Sequence, residues 1–261
     1  MAIAAHPDDI EFTMAGTLLL LKGAGAEIHM WNLANGSCGT AEHERDEIVR
    51  LRMAEAADSA RIAGAVIHPP LVDDLGILYE AHLLARVASV IREVRPSILL
   101  VPSPQDYMED HVNACRLAVT AAFARGMRNY PVDPPVAPWN GETVIYHAMP
   151  HGLRDGLRRL IHPGQYVNVR SMMEYKREML RRHRTQKDWL DVSQGMDSYL
   201  YEMESMASQV GAMSKRFEYA EGWRRHSHLG FASAPADPLS LLLGPDCWVD
   251  SATERELDSI A

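Results

Sequence analysis

Residues 2–21 read AIAAHPDDIEFTMAGTLLLL. A short apolar run over 2–5 leads into His6-Pro7-Asp8-Asp9, and a stretch typical of a helix follows over 14–25. An apolar strand, a polar turn and a helix in this order begin a unit of a parallel sheet. The stretch therefore predicts a first strand whose carboxyl end presents a histidine and two aspartates.

The same alternation continues through the first two thirds of the chain. We predict further strands over 28–34, 65–68, 98–101, 143–147 and 165–169, and helices over 41–64, 81–94, 111–126 and most of 172–212. This pattern predicts an α/β fold: a doubly wound, Rossmann-like, mostly parallel sheet with helices on both faces, plus a helical C-terminal part. We expect one domain over 1–233, with the sheet core in 1–170 and the helical part in 171–233, and an irregular extension over 234–261.

The charge and the cysteine count exclude several classes of partner. A formal net charge of −9 over 261 residues gives no general attraction for nucleic acid or for an anionic membrane. The three cysteines, Cys38, Cys115 and Cys247, form no CxxC pair, which favours a reducing compartment. The start of the chain, MAIAAHPDD, does not resemble a signal peptide, and the longest apolar run, 16–21, is too short to span a bilayer. We therefore expect a cytoplasmic protein.

Two clusters of histidine and carboxylate side chains follow predicted strands. One contains His6, Asp8 and Asp9, and the other spans residues 106–111, DYMEDH. The carboxyl ends of parallel strands meet at one edge of a sheet, so these clusters are expected to lie close together. His6, Asp9 and His111 would supply two imidazoles and one carboxylate to a catalytic zinc ion, which leaves Asp8 as a general base. The alternative is that Asp8, Asp9 and Asp110 only cap the helices that follow them.

The motifs also resemble a known family. AHPDDIEF followed by AGTLLL resembles the zinc-dependent de-N-acetylases, which include the enzyme acting on N-acetylglucosaminyl-phosphatidylinositol and the bacterial deacetylases of the mycothiol and bacillithiol pathways. The resemblance runs over about residues 2–230. It continues with Asn35-Gly36, Arg52-x-x-Glu55, Asp110-His111, His183-Arg-Thr-Gln186 and Ala220-Glu221-Gly-Trp223-Arg224.

The resemblance implies a role for several residues. It implies that His6, Asp9 and His111 bind Zn²⁺, with Fe²⁺ as the alternative metal, and that Asp8 is the general base. Asp110 would orient a ligand histidine from behind. Arg52 and Asn35 would contact substrate, although the alternative for Arg52 is a salt bridge to Glu55 or Glu47 on the same helix. His183 and Gln186 are expected to fix helix packing around the site.

One position departs from the family pattern. Many relatives have a histidine three residues before the final ligand, where it stabilises the oxyanion or protonates the leaving amine, and here that position is Met108. A methionine cannot donate a hydrogen bond to an oxyanion. Five side chains are candidates to supply the missing donor: Tyr107, His147, His151, His226 and His228.

These features predict a metal-dependent hydrolase that removes an N-acyl group, acetyl first, from an amino sugar or an N-acetylglucosamine-containing conjugate. One alternative is the same chemistry on another small-molecule amide. The other is a ligand-binding pseudoenzyme that keeps the metal, which Met108 supports and Asp8 opposes. A nucleotide-binding protein is disfavoured because no glycine-rich phosphate motif follows the first strand.

Two further patterns in the C-terminal half are interpreted as surface features. Seven methionines, Met172, Met173, Met179, Met196, Met203, Met206 and Met213, predict an adaptable subunit interface and thus a homo-oligomer. A basic group is interpreted as a solvated face, with attraction of a phosphorylated substrate as the alternative. It comprises Lys176, Arg177, Arg181, Arg182 and Arg184.

Overall fold

A computed structural model describes residues 1–187 and 198–258. The strands are β1 Ala2–Ala4, β2 His29–Asn32, β3 Val66–His68, β4 Ile98–Val101, β5 Val144–Ala148, β6 Gln165–Asn168, β7 Ala220–Arg225 and β8 Cys247–Val249. The helices are α1 Asp9–Thr13, α2 Ala15–Gly23, α3 Arg45–Ala63, α4 Ala81–Val94, α5 Glu109–Phe123, α6 Met173–Leu180, α7 Ser198–Ser214, α8 Pro238–Leu243 and α9 Ser251–Asp258. Among these helices, none is long and apolar enough to cross a membrane.

The strands form a single sheet in the order β3-β2-β1-β4-β5-β7-β6-β8. The first five are parallel, whereas β7 runs antiparallel to both β5 and β6, and β8 runs antiparallel to β6. Strand β1 lies between β2 and β4, so the chain leaves β1 toward one side of the sheet and returns after β3 to the other side. The loops after β1 and β4 therefore open a crevice at the topological switch point.

Alternate residues of the inner strands pack into two separate layers. In β1, Ala2 and Ala4 join one core cluster, with α2, α6 and α7, while Ile3 joins the other, with α4 and α5. In β4, Leu100 joins the first of these clusters and Leu99 joins the second. Strands covered on both faces must be apolar at every position, which explains their continuous apolar sequences. The predicted doubly wound, mostly parallel fold is confirmed.

The segment after residue 170 contains a strand that the sequence prediction assigned to a helical part. Strand β7 lies inside the sheet, where it pairs with β5 and β6. Its sequence, AEGWRR, has no β-branched residue and has a glycine in its interior, so strand propensity gave no signal. Gly222 is required there because an added Cβ would meet the side chains of Met149 and Pro163. The sheet core therefore extends well beyond 170.

The C-terminal segment is also more regular than predicted. Within 234–258 the chain forms α8, β8 and α9, and β8 extends the sheet beside β6. The buried side chains of Leu239 and Cys247 belong to the core. The Asp237 carboxylate accepts hydrogen bonds from the Tyr146 hydroxyl at 2.6 Å and from Gln165 Nε2 at 2.6 Å. The expected irregular extension is therefore wrong, because apolar burial and buried hydrogen bonds fix this segment.

The methionine interpretation is corrected for the described residues. Four methionines are buried in the core of the chain itself: Met173, Met179, Met203 and Met206. Met172 and Met213 are half-buried, and Met196 lies outside the described residues. The run therefore fills the space between α6, α7 and the sheet, which is the usual use of a flexible apolar side chain.

One residue of the predicted solvated basic face is a core residue. Lys176 is fully buried and forms an ion pair with Glu221 of β7, and its ammonium also donates to the Phe12 carbonyl at 3.2 Å. Glu221 in turn accepts from the backbone amides of Gly16 at 2.9 Å and Thr17 at 2.7 Å, at the start of α2. A buried charge needs such a partner. The pair fixes α1 and α2, and with them the loop after β1.

Candidate active site

The loop after β1 places its two aspartates in different environments. Asp9 begins α1, and its Oδ2 accepts hydrogen bonds from the amides of His6 at 2.8 Å and Ala5 at 3.2 Å. Asp8 has a left-handed backbone, with φ of 112°, which turns its side chain away from the helix start. The Asp8 side chain makes no capping bond to α1. The capping alternative for Asp8 is therefore wrong.

The loop after β4 brings a third donor to the same place. The metal-ligating atoms of His6, Asp9 and His111 all lie within 4.8 Å of one another. Asp9 Oδ1 is 3.5 Å from His111 Nε2, and Asp9 Oδ2 is 3.6 Å from His6 Nδ1. Two imidazoles and one carboxylate in this arrangement match the donor set of a catalytic zinc site.

Each histidine is oriented by a second carboxylate. His6 Nε2 contacts Asp110 Oδ2 at 2.9 Å, and His111 Nδ1 contacts Asp106 Oδ1 at 3.0 Å. Each imidazole therefore turns its remaining nitrogen toward Asp9, an arrangement that fixes ring and tautomer in metal sites. Asp110 Oδ2 also accepts from the Leu75 amide at 2.7 Å, and the N-cap of α5 is Met108. Asp110 is thus a partner of His6 and does not cap the helix.

The carboxylates create a field that favours positive charge between the histidines. Burial lowers the pKa of His111, but Asp9 and Asp106 outweigh this effect and raise it to about 11. Burial also lowers the pKa of His6, and its hydrogen bonds to Asp110 and Asp9 outweigh burial and raise it to about 10. The same field would stabilise a divalent cation that replaces these protons. The residues present therefore fit a divalent metal.

Asp8 lies beside this donor set without joining it. Its Oδ2 accepts a hydrogen bond from the Tyr199 hydroxyl at 2.5 Å and lies 3.6 Å from a terminal nitrogen of Arg52. Burial raises the pKa of Asp8, and Arg52 and Tyr199 only partly oppose that rise. A buried carboxylate with a raised pKa can both accept and return a proton, which suits general acid–base catalysis.

Arg52 is a buried part of the site, and its ion-pair partner is Asp8 and not Glu55 or Glu47, the alternative partners on its own helix. Its guanidinium donates to the Pro7 carbonyl at 2.6 Å and to Gln186 Oε1. The Glu55 carboxylate is used elsewhere, by the amide of Thr185 at 3.1 Å and its hydroxyl at 2.7 Å. The alternative pairing of Arg52 with Glu55 is therefore wrong. Arg52 instead clamps the loop that carries Asp8.

Asn35 and His183 support the site from outside its cavity. The side-chain amide of Asn35 donates to Asp73 at 2.7 Å, and its side-chain carbonyl accepts from the Ser37 amide at 3.1 Å. Asn35 therefore fixes a loop. It does not line the cavity, so the predicted contact with substrate is wrong. His183 is fully buried, with Nε2 at 3.0 Å from Glu11 Oε1 on α1. This contact agrees with the expected packing role of His183.

The donor set opens into a cavity of about 360 Å³, a volume in the range of small-molecule sites. We call its mostly buried walls the inner lining, which comprises His6, Asp8, Asp9, Phe12, Gly39, Arg52, His111 and Tyr199. We call its half-buried and exposed border the rim, which comprises Cys38, Asp74, Leu75, Tyr107, Met108, His151, Gln186 and Glu202.

Two of the candidate oxyanion donors reach the cavity and three do not. Tyr107 and His151 are rim residues whose rings lie 6.2 Å apart, and the Tyr107 ring meets His111 edge-on at 5.8 Å. Burial raises the pKa of Tyr107 to about 12, so its hydroxyl keeps its proton at neutral pH.

The other three candidates lie elsewhere, which corrects their assignment as helpers. His147 is buried behind α5, 3.4 Å from Cys115 Sγ, and its Nε2 contacts His226 Nδ1 at 2.9 Å. His226 and the exposed His228 line a different cavity. Strand β5 directs the His147 side chain beneath α5, which strand spacing alone does not reveal.

Among the site residues that sequence reasoning missed, three bear on the chemistry or on recognition. Asp106 had been noted only as part of a cluster, although its spacing of five residues before His111 allows the contact that the structure contains. Tyr199 and Glu202 lie on α7, nearly two hundred residues after Asp8, and no local pattern marks them. They are one helical turn apart and face the same cavity.

The fold and the site define an α/β protein with a crevice that fits a divalent metal beside a carboxylate suited to proton transfer. The GlcNAc-PI de-N-acetylase family model matches residues 1–123. A diacetylchitobiose deacetylase from Thermococcus kodakarensis is 30% identical over 231 residues, which cover 86% of this chain and 81% of that protein. The chain belongs to the GlcNAc-PI de-N-acetylase family, as the sequence motifs predicted.

Solved structures with a similar fold include enzymes that catalyse different reactions. The N,N'-diacetylchitobiose deacetylase of Pyrococcus horikoshii superposes with a TM-score of 0.74 at 23% identity, over 91% of this chain and 87% of that chain. The 4-carboxy-2-hydroxymuconate hydratase GalB of Pseudomonas putida superposes with a TM-score of 0.72 at 21% identity, over 90% and 97%. The fold therefore does not by itself decide the reaction, which must be argued from the site.

Proposed function

We propose that this protein is a metal-dependent N-deacetylase that hydrolyses the acetamide of an amino sugar or of an N-acetylglucosamine-containing conjugate. The observation that carries the proposal is the placement of Asp8 beside the donor atoms of His6, Asp9 and His111, in one cavity of small-molecule size. Family membership supports the same chemistry.

Zn²⁺ is the metal we propose, with Fe²⁺ as the alternative, because both accept two imidazoles and one carboxylate. When bound, such an ion supplies Lewis-acid polarisation of the acetyl carbonyl and a lowered pKa for water. His6, Asp9 and His111 would hold it, and Asp110 and Asp106 would keep the two imidazoles in register. The protein would thus hold the metal ligands in fixed positions before substrate binds.

Asp8 performs the proton transfers in this proposal. Its Oδ2 is bonded to Tyr199 and faces Arg52, so its other oxygen is the one left to accept a proton from the attacking water. The protonated carboxyl then returns that proton to the amide nitrogen as the C–N bond breaks, giving acetate and an amine. Positioned acid–base catalysis of this kind contributes roughly 10²–10⁴-fold to the rate.

His151 is the group we propose as donor to the developing oxyanion in place of the family's histidine. Its ring packs 5.1 Å from Phe12 in the inner lining, and no described residue forms a hydrogen bond with either of its nitrogens. It therefore retains a donor for substrate. Tyr107, the neighbouring rim residue, is the second candidate for the same role.

The test is amine release from N-acetylglucosamine and a panel of its conjugates, measured with metal content. Protein stripped with a chelator should be inactive and should regain activity with about one Zn²⁺ or Fe²⁺ per chain. Asp8→Asn should retain the metal and lose about 10³-fold in kcat. Full metal content without turnover on any amide would establish the pseudoenzyme, and turnover confined to other amides would move the chemistry to a different substrate.

Two sequence expectations remain predictions under this proposal. A cytoplasmic location follows from the cysteine pattern, and a homo-oligomeric state no longer has the methionine run as support. The partner we propose is a small N-acylated molecule, with neither nucleic acid nor a membrane surface.

A further inference from the structure

The charges around the cavity are unevenly distributed. Arg52 is the only lysine or arginine among the described residues that line it, and its guanidinium is already bound by Pro7, Asp8 and Gln186. The rim carries two carboxylates, Asp74 and Glu202. Where the substrate's amine-bearing fragment must lie, the described protein therefore offers negative charge and no available cation.

The two rim carboxylates are not equivalent. Asp74 accepts hydrogen bonds from the amides of Gly36 at 2.7 Å and Cys38 at 2.9 Å, so its charge is used to fix a loop. Glu202 is half-buried and has no hydrogen-bond or salt-bridge partner in the described ranges. It lies one helical turn after Tyr199, whose hydroxyl binds Asp8. Glu202 thus lines the same cavity as Asp8, and no described residue occupies its carboxylate.

Four of the five members of the basic group from the sequence analysis are also committed. Arg177 on α6, and Arg181 and Arg182 directly after it, pair with glutamates of α6 and α7. Lys176 is buried against Glu221. The sequence over 188–197 contains three aspartates and no lysine or arginine. The fifth member, Arg184, is exposed and does not line the cavity, so the alternative that the basic group attracts a phosphorylated substrate loses most of its support.

We infer that Glu202 selects substrates by charge, so that the fragment carrying the scissile amide is neutral or cationic and an anionic fragment is excluded. The inference rests on the proposed deacetylase function and deepens it by naming the substrate class. A carboxylate accepts hydrogen bonds from sugar hydroxyls or from an ammonium group, whereas it repels phosphate, sulfate or uronate at close range. Glu202 is thus a specificity-determining residue of the rim.

The experiment compares kcat/KM for N-acetylglucosamine and its 6-phosphate at low ionic strength. The wild-type protein should prefer the neutral sugar by at least about tenfold, or about 1.4 kcal/mol. Glu202→Gln should reduce that preference about threefold, and Glu202→Lys about tenfold or more. Added salt should weaken the wild-type preference, because it screens the repulsion.

Glu204→Gln is the matched control, because Glu204 is on the same helix and pairs with Arg177 at 2.5 Å, away from the cavity. It should leave the preference unchanged. Equal turnover of both sugars by the wild-type protein, or one preference shared by all variants, would overturn the inference.

Binding of the amine products separates this inference from the proposed function. Calorimetry with glucosamine and glucosamine 6-phosphate needs no turnover. Weaker binding of the phosphate, relieved in Glu202→Lys, would support charge selection even if no amide is cleaved. Equal binding would reject charge selection even if the deacetylase activity is found.

Discussion

The inner lining and the rim of the cavity differ in how their polar atoms are used. In the inner lining, His6, Asp9 and His111 each contact other charged groups of the site, and Asp8 is held by Tyr199 and Arg52. On the rim, three of the titratable side chains, Tyr107, His151 and Glu202, form no hydrogen bond with any described residue, whereas Asp74 accepts from two loop amides.

This difference assigns different tasks to the two regions. Groups that are already oriented need no reorganisation during reaction, which is the basis of electrostatic preorganisation. Groups with unused hydrogen-bonding capacity are available to a ligand. Under the proposed function, the inner lining therefore carries out the chemistry and the rim recognises the substrate, with His151 as the proposed exception.

Among the rim residues, replacing His151 gives the largest expected effect, and it tests that exception. His151→Phe, which keeps a ring and removes both nitrogens, should lower kcat by about 10²-fold, the usual loss when one oxyanion donor is removed, with little change in metal content. Tyr107→Phe is the matched control and should change mainly KM. If Tyr107→Phe has the larger effect on kcat, the donor is the tyrosine. If neither variant affects kcat, the rim takes no part in the chemistry.

Met108→His restores the family's histidine and tests whether an oxyanion donor can act from this part of the rim. Met108 lines the rim beside Tyr107, so an imidazole there could supply a second donor. In the His151→Phe background, it should recover part of the lost kcat. Recovery of kcat would mean that the oxyanion lies at this edge of the cavity.

How far the sequence predicted the molecule depends on how local each feature is. The parallel strands and the four residues His6, Asp8, Asp9 and His111 were predictable, because each residue lies in a short motif in the loop or helix start that follows an apolar strand. Strand β7 was not, since AEGWRR acquires its strand conformation only between β5 and β6. The oxyanion candidate His147 was misassigned because its side chain packs beneath α5.

The residues of α7 show most directly what the sequence could not predict. Tyr199 reaches Asp8 from 191 positions away, and Glu202 follows it onto the rim. Both lie on an ordinary amphipathic helix, in which a tyrosine and a glutamate are unremarkable. Their roles are set by tertiary packing against the first loop, which a single sequence does not encode in any local pattern.

Tyr199→Phe tests the preorganisation of the inner lining, and its expected effect is smaller than that of replacing His151. Removing the hydroxyl leaves the ring in place and takes one hydrogen bond from Asp8 Oδ2, so kcat should fall about tenfold with metal content and KM nearly unchanged. In the Asp8→Asn background, the same substitution should change the residual rate by less than about twofold. Additive losses in the double variant would mean that Tyr199 acts only on packing.

The smallest expected effect concerns the stability of the fold. His183 and Glu11 form a buried pair behind Asp8. Burial lowers the pKa of His183, but Glu11 outweighs it and the net shift is upward. Burial raises the pKa of Glu11, but His183 outweighs it and the net shift is downward.

The signs of these shifts define a pH window. The histidine's contribution is fully present below its unfolded pKa of about 6.5 and is lost as pH rises through the raised folded value. The glutamate's contribution is present above about 4.3 and is lost as pH falls through the lowered folded value. The free energy of unfolding gained from the pair should therefore be largest between about pH 4.3 and 6.5.

His183→Gln removes the titration while keeping a donor for Glu11. The difference in unfolding free energy between wild-type protein and this variant, on the order of 1 kcal/mol at pH 6, should shrink as the pH is raised to 9. His82→Gln, at an exposed position on α4, should parallel the wild-type protein at every pH. A difference that stays constant from pH 6 to 9 would mean that His183 is neutral in the folded protein, and that the support behind Asp8 is packing and not charge.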